Sequence, residues 1–244
     1  MTSRLPRLSA LLVLPMLLSG CLLNTQDIRV SAEHKTAVKT VGVVSLLPVR
    51  INVSALGSSA LESDLGHVTV AGWNPERVVA EVLVPRFERA GFATRLVAPD
   101  EALAAARAAD WRAPLANSIA QDAYAAGAAA GVDMLVVVQS QVGEDFVTDT
   151  NQNVRGYGVQ RAFDTAPQAY ATVLVEAFDV DRRFVVGRAE AQQSAAAADG
   201  AWHPAFDTID GSVALDAAGG AALTEQLATM LRTTIAVAAQ EAGL

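Results

Sequence analysis

Two short apolar runs dominate the hydrophobic pattern in the first part of the chain. They span residues 41–47 (VGVVSLL) and 132–138 (VDMLVVV), and Pro48 closes the first of them. A short run in which apolar residues follow one another is typical of a strand that is covered on both faces, as in a parallel sheet. Helical periodicity between the two runs predicts crossover helices, which parallel strands require.

Capping residues mark the boundaries of these helices. Asn74 can cap a helix, Pro75 suits its first position, and the early acid Glu76 complements the helix dipole. Apolar residues then recur at helical spacing until Gly91, which predicts an amphipathic helix that ends there. Further helices are predicted after Pro99, over 115–130 with Gly131 as the stop, and over 217–239.

The last third of the chain predicts antiparallel pairing. Residues 170–180 and 184–192 have strand-like patterns and flank the short polar segment 181–183, which is the layout of a β-hairpin. Residues 195–216 contain several glycines and aromatic residues without a clear period, and they are predicted to form a loop.

Residues 50–71 leave two alternatives open. The polar, serine-rich segment 50–66 and the alternating segment 67–71 predict either a hairpin or a mobile flap. For the chain as a whole the pattern predicts a mixed α/β fold with a single central mixed sheet. We expect a parallel first half, antiparallel hairpins in the second half, helices packed on the sheet and a C-terminal helix that closes the fold.

The N-terminal segment has the organisation of a secretory signal peptide. Arg4 and Arg7 precede the apolar run 8–18, and small residues then lead to the only cysteine, Cys21. The apolar run is too short to span a bilayer, for which about 20 residues are needed. Its ending, Leu-Ser-Gly-Cys at 18–21, resembles the lipobox of bacterial lipoproteins.

This resemblance implies that Cys21 receives a diacylglycerol group and a further acyl chain such as palmitate. Cleavage is then expected between Gly20 and Cys21. Leu22 stands where an Asp would act as the inner-membrane retention signal, so the resemblance implies the periplasmic face of the outer membrane. Three segments are expected: a signal peptide over 1–20, a lipidated tether over 21–40 and a single α/β domain over 41–244.

The charge balance excludes one class of partner. Removal of residues 1–20 takes away two arginines and no acid, which leaves 16 of the 18 basic residues and all 26 acidic ones, and so a net charge of −10. An acidic protein gains nothing from phosphate backbones, so nucleic acid is not an expected partner. The sequence also has no cluster of basic residues that would draw it onto anionic lipid.

No familiar catalytic or metal-binding motif occurs in the sequence. The nucleophile elbow, the phosphate-binding loop and the two-histidine zinc motif are all absent. His34, His67 and His203 lie far apart and have no second ligand at metal-binding spacing. We therefore expect no catalytic residue, no metal and no cofactor. Asp133 is interpreted as a hydrogen-bond acceptor, and Trp73 and Trp202 are interpreted as packing residues.

The most distinctive polar cluster consists of Asn151, Asn153, Arg155 and Tyr157. One interpretation is a recognition edge that binds a partner, since Tyr and Arg are favoured anchors in interfaces. The other is a hairpin in which the Asn residues form the turn and the neighbouring glycines allow a bulge. The sequence leaves both interpretations open.

Three segments resemble the envelope lipoproteins of the CsgG, LpoB and TolB-N-like group: the run 41–47, the helix 75–90 and the segment 131–138. The resemblance implies a compact α/β domain used for assembly or regulation. We therefore expect a lipid-anchored module that binds another envelope protein, with homo-oligomers as a further possibility. The alternatives are a small-ligand-binding lipoprotein with its pocket beneath residues 50–72 and, third, a hydrolase.

Overall fold

The computed structural model describes residues 27–57, 63–108, 119–143, 146–147, 154–163 and 165–244. The helices in these residues are α1 Ala32–Ala37, α2 Pro75–Arg89, α3 Glu101–Ala108, α4 Ala120–Ala130 and α5 Ala221–Glu241. The strands are β1 Thr40–Ser45, β2 Ile51–Leu56, β3 Asp64–Val70, β4 Ala93–Leu96, β5 Met134–Ser140, β6 Val142–Gly143, β7 Val154–Arg155, β8 Tyr157–Ala162, β9 Gln168–Asp179, β10 Phe184–Ala196 and β11 Gly211–Leu215.

Nine of these strands form one mixed sheet, which confirms the predicted fold class. In one half of the sheet, β1 pairs in parallel with both β4 and β5. In the other half, β2 pairs in parallel with β8 and antiparallel with β3, and β11 lies parallel to β3. The short strands β6 and β7 form a separate antiparallel pair.

Strand β9 holds the two halves together. Along its whole length one edge of β9 pairs with β10, so β5 and β8 must share its other edge. They do so end to end: β5 pairs with 173–179 and β8 with 168–171. Thr172 lies at the junction, where its carbonyl accepts from Gln141 N–H (3.3 Å) and its N–H donates to the Gly156 carbonyl (2.6 Å).

Helices cover both faces of the sheet. On one face α2 and α5 contribute Leu83, Phe87, Leu231 and other residues to the larger core cluster. On the other face α4 packs on β5 and β9, with Tyr124 in edge-to-face contact with Phe178, and α3 packs against α4. Since β1, β5 and β9 lie under helices on both sides, their apolar residues follow one another without alternation.

The predicted boundaries of α2, the start of α3 after Pro99 and the end of α4 before Gly131 are confirmed. The other two are corrected: α4 begins at Ala120, with 115–118 outside the described residues, and α5 spans Ala221–Glu241 rather than 217–239. The Asn74 side chain accepts from Arg77 N–H (3.1 Å), and Pro75 occupies the first turn of α2. Asp100 caps α3 by accepting from Leu103 N–H (2.9 Å). Gly91 and Gly131 follow α2 and α4 with φ angles of +91° and +63°, a region that favours glycine over residues with a Cβ. None of the described helices is long and apolar enough to cross a membrane.

The segment predicted as a tether over 21–40 is packed on the domain from residue 27 onward, which corrects that boundary. Residues 32–37 form α1, and Val30 and Val38 are buried in the larger core. The Val30 N–H donates to the Ala242 carbonyl (2.9 Å), so the segment is also bonded to the end of α5. Isolated apolar residues between charged ones concealed this packing in the sequence. Residues 21–26 lie outside the described residues.

Two loop predictions are also corrected. Residues 51–56 and 64–70 are strands of the sheet rather than a mobile flap, with Ile51 and Val68 fully buried. This favours the hairpin alternative and removes the flap over a predicted pocket; residues 58–62 lie outside the described residues. The predicted loop over 195–216 contains β11, a five-residue edge strand with only partial burial and therefore little hydrophobic signal.

Asp133 bonds the N-terminal segment to β5, as interpreted from the sequence. Its Oδ2 accepts from the backbone N–H groups of Lys39 and Thr40, both at 2.8 Å. Its own N–H donates to Thr40 Oγ1 (3.0 Å). Burial alone would raise the pKa of the Asp133 carboxyl, but these hydrogen bonds together hold the pKa below its ordinary value.

We expect Asp133→Ala to lower the free energy of unfolding by about 1–3 kcal/mol, because two backbone N–H groups lose their acceptor. The carboxyl has a lowered pKa in the folded state, so its contribution is present above the ordinary value of 3.8 and is lost as pH falls through the folded-state pKa. Urea titrations at neutral and acidic pH measure this difference. Asp181→Ala, in an exposed turn, is the control, and an equal loss in both variants would contradict the assignment.

Candidate interaction site

The predicted recognition residues are only partly described. Asn151 and Asn153 lie outside the described residues, as do Gly20 and Cys21. Arg155 ends β7 and Tyr157 begins β8. The two side chains differ in exposure: that of Arg155 is half-buried, whereas Tyr157 is 1% exposed.

Tyr157 lies in the core, which corrects the prediction of an exposed anchor at this position. Its hydroxyl donates to the Pro48 carbonyl and accepts from Trp73 Nε1 (3.0 Å). The Trp73 ring also meets the Tyr157 ring edge to face, with 5.8 Å between centroids. The tyrosine therefore fixes the break between β1 and β2 and the start of α2, and it presents no surface to a partner.

The glycines beside these residues serve the turn and the sheet, as in the hairpin interpretation. Gly156 has a φ angle of +64°, which turns the chain between β7 and β8. A Cβ at Gly158 would lie 2.1 Å from the Asn52 carbonyl oxygen, so only glycine allows β8 to approach β2 this closely. Asn52 Nδ2 also donates to the Arg155 carbonyl (2.6 Å). A partner contact through the Arg155 side chain stays a prediction.

A different element, the outer edge of β10, has the features of an interaction site. At Arg188 the N–H and carbonyl point away from β9 and bond to Ile28 at 2.7 and 2.8 Å. Because backbone direction alternates along a strand, the outward groups that follow belong to residues 190, 192 and 194. At the far end, Gln226 Nε2 donates to the Ala196 carbonyl (2.8 Å).

Between these two ends, Gln192 and Ser194 provide the exposed part of the edge. The outward backbone groups of Gln192 and Ser194 have no partner among the described residues. Strand edges are usually protected by lysine, proline or inward-pointing charge. Residues 189–197 (AEAQQSAAA) contain one acid and neither lysine nor proline, so little prevents another strand from pairing here.

Exposed apolar side chains accompany this edge. Ile28 is 39% exposed and lies beside Arg188. Val237 is 42% exposed and follows Gln226 by about three helical turns, which places it on the flank of α5 that faces β10. A strand added to β10 would therefore meet both backbone partners and apolar surface.

A buried carboxyl that the sequence did not reveal, that of Glu176, lies on the face of the sheet that α4 covers. Glu176 Oε2 accepts from Gln139 Nε2 (2.8 Å), and its Oε1 lies 3.6 Å from Arg188 Nη1. Burial raises the pKa of the Glu176 carboxyl above its ordinary value, and the charge of Arg188 only partly offsets this. Glu176 occupies a run of apolar residues in β9, so only the cross-strand partners reveal its role.

His34 lies beside an acid, and His203 caps a short 3-10 helix. His34 Nδ1 lies 3.5 Å from Asp179 Oδ2, but its buried Nε2 has no hydrogen-bond partner in the described residues. Ser31 Oγ instead accepts from the His34 backbone N–H, as a helix cap. His203 Nδ1 similarly accepts from Ala205 N–H. The described residues contain no group of three potential metal ligands.

Trp202 is a packing residue, as predicted. Its ring meets Phe206 edge to face at 5.6 Å between centroids, and the Arg161 guanidinium lies over it at 4.7 Å. Its Nε1 donates to Asp207 Oδ1 (2.8 Å), and Arg161 forms an ion pair with the same carboxylate. These contacts fasten the segment after β10 to β8.

No family model and no curated protein matches this chain. Among solved structures, it is similar to the protein XCC0632 of Xanthomonas campestris, described under the family model DUF330, with 12% identity, a TM-score of 0.41 and coverage of 82% of this chain and 80% of that one. It is also similar to the PelC dodecamer of Paraburkholderia phytofirmans, with 12% identity, a TM-score of 0.36 and coverage of 88% of this chain and 96% of that one. A third similar structure is the LpoB C-terminal domain of Salmonella enterica, with 9% identity, a TM-score of 0.26 and coverage of 64% of this chain and 83% of that one.

We expect Tyr157→Phe to lower the free energy of unfolding by about 1–3 kcal/mol, because the Pro48 carbonyl and Trp73 Nε1 both lose a partner. Thermal and urea unfolding measure the loss. Tyr124→Phe is the matched control, since the Tyr124 hydroxyl makes no hydrogen bond to a described residue. If Tyr157→Phe kept full stability and only weakened partner capture, the burial assigned to Tyr157 would be wrong.

We expect Glu176→Gln to gain stability relative to the unaltered protein as pH rises from about the ordinary glutamate pKa of 4.5 to neutrality. The raised pKa means that the folded state holds its proton more tightly than the unfolded state, so the native carboxyl loses stability over this range. The neutral amide does not titrate and therefore shows no such loss. Parallel slopes of unfolding free energy against pH for both proteins would contradict the raised pKa.

Proposed function

We propose that this chain is a non-catalytic, lipid-anchored envelope protein that binds an extended segment of a partner protein along the outer edge of β10. The observation that carries the proposal is that the outward backbone groups of Gln192 and Ser194, which lie between the Ile28 pair and the Gln226 side chain, bond to no described residue. Strand addition to an exposed edge is a general mode of peptide recognition.

Backbone pairing alone would give modest affinity. The N–H and carbonyl groups of Gln192 and Ser194 offer four hydrogen bonds, which together contribute about 2–6 kcal/mol. Ordering the partner segment opposes this gain. Burial of apolar side chains beside Ile28 and Val237 must therefore supply a large share of the binding energy, so the partner segment should carry apolar residues at alternate positions.

The lipid anchor would keep this edge close to the membrane. If Cys21 is lipidated as its lipobox-like context implies, Ile28 follows the anchor by only seven residue steps, which span at most about 25 Å. Two or more acyl chains give stable anchoring. The partner is accordingly expected to be an envelope protein with an extended segment near the membrane, on the periplasmic face of the outer membrane by the position of Leu22.

A photoreactive residue at Gln192 in living cells is expected to crosslink to one dominant protein. Gln192→Pro in the same background, with the photoreactive residue moved to Ser194, should abolish the adduct, because proline removes the outward N–H without breaking a bond to β9. Gln192→Ala keeps the N–H and should keep the adduct. Mass spectrometry of the adduct and thermal unfolding of each variant complete the measurement.

The same residue placed at Arg77, on the exposed side of α2, controls for random contact. Loss of the adduct in Gln192→Ala as well would mean that side-chain contact rather than strand pairing holds the partner. A series of adducts of the chain with itself would identify the partner as a second copy of this chain rather than another envelope protein. No adduct from a folded, membrane-bound protein would contradict the proposal.

A further inference from the structure

A cleft of about 620 Å³ opens at the end of the sheet where the parallel strands begin. It lies between α1, the last turn of α2 and Leu244. It is separate from the edge of β10 and from the segment 50–72 under which a pocket was predicted.

The cleft gathers positive charge from distant parts of the chain. Lys35 of α1 and Arg86 and Arg89 of α2 line it, and no acidic residue does, although the whole chain has a net charge of −8. Lys35 is far from Arg86 and Arg89 in the sequence, so the three cations do not form a visible basic cluster there. The expectation that the chain has no basic cluster is therefore corrected at the level of the fold.

Only some of the hydrogen-bond donors of these cations are bonded within the described part of the protein. Arg86 donates through Nε to the Leu244 carbonyl oxygen (2.7 Å), and its Nη2 donates to the same atom. Arg89 Nε donates to the Pro85 carbonyl (3.0 Å), which leaves its two Nη groups without a partner among the described residues. The Lys35 ammonium forms no hydrogen bond or ion pair with any described residue, although the Lys35 backbone N–H donates to the Ser31 carbonyl (3.1 Å). Two cations are thus available to an anion.

The rest of the lining is largely apolar. Phe87 and Phe92 meet edge to face with 6.2 Å between centroids, and Val38 and Met134 extend this surface toward the sheet. An apolar lining with a few convergent charged groups is typical of a ligand site. A fully charged small anion would leave the apolar part unfilled, and a neutral lipid would leave the cations unpaired.

We infer that this cleft binds an anionic amphiphile, with its phosphate or carboxylate head between Lys35 and Arg89 and a short part of its hydrocarbon chain against Phe87 and Phe92. A membrane lipid and a free amphiphile share this chemistry. The inference does not depend on the proposed edge of β10, because no residue is common to the two sites.

The chain offers an internal control for a test, since Lys35 and Lys39 are its only lysines. Lys35 lines the cleft, whereas Lys39 does not. We would place the full chain in phosphatidylcholine nanodiscs, add decyl phosphate and follow acetylation of the two lysines by mass spectrometry. Decyl phosphate should slow acetylation of Lys35 several-fold and leave Lys39 unchanged, because only the neutral amine reacts and the bound anion both covers Lys35 and keeps it as the ammonium.

Two variants assign the effect to the cleft. Arg89→Gln should raise the decyl phosphate concentration for half-protection of Lys35 about tenfold, as expected for loss of one charge-assisted hydrogen bond. Arg77→Gln removes a charge from the other end of α2 and should change nothing. Because a cation in the last turn also stabilises the helix, the melting temperature of Arg89→Gln is measured separately.

Further probes decide the ligand class and its source. Equal protection by decyltrimethylammonium, or by inorganic phosphate at the same concentration, would overturn the inference, as would protection that Arg89→Gln leaves unchanged. Nanodiscs that contain phosphatidylglycerol distinguish the two sources. Protection by these discs alone would identify a bilayer lipid, and protection only after addition of decyl phosphate would identify a free amphiphile; both results support the site.

Discussion

The pairing of β9 is the constraint on which the rest of the structure depends. Eleven of its twelve residues are buried, and one of its edges pairs with both β5 and β8. Without β9 the two halves of the sheet would therefore not be joined. The other edge of β9 is filled by β10, which is the last of the described strands on that side. The position of β10 at this side of the sheet therefore follows from the way in which β9 joins the two halves.

Much of the fold could be predicted from the sequence because its signals are local. The apolar runs of β1 and β5, the Asn74 cap and the β9–β10 hairpin are all set by neighbouring residues. The packing of residues 27–38 and the strand β11 were missed because each depends on distant partners. Val30 is buried only because α5 returns to it, and β11 is a strand only because β3 lies beside it.

The candidate sites were harder to predict for the same reason. Tyr157 has the composition of an interface anchor, but Pro48 and Trp73, both distant in sequence, enclose it in the core. A strand edge cannot be recognised from amino-acid composition, because it is defined by the absence of a neighbouring strand. The cations of the cleft come together only when α1 and the end of α2 meet. The edge of β10 and the cations of the cleft therefore become visible only once the chain is folded.

Amide hydrogen exchange at Gln192 and Ser194 tests the central claim most directly. Outward N–H groups that lack a partner exchange quickly, whereas those bonded to an added strand are protected. We predict fast exchange of the peptide that contains both residues in the purified chain, and strong protection in membranes that retain the partner, while the inward-facing amide of Gln193 stays protected in both. Equal exchange of Gln192 and Ser194 in the two preparations would contradict strand addition at β10.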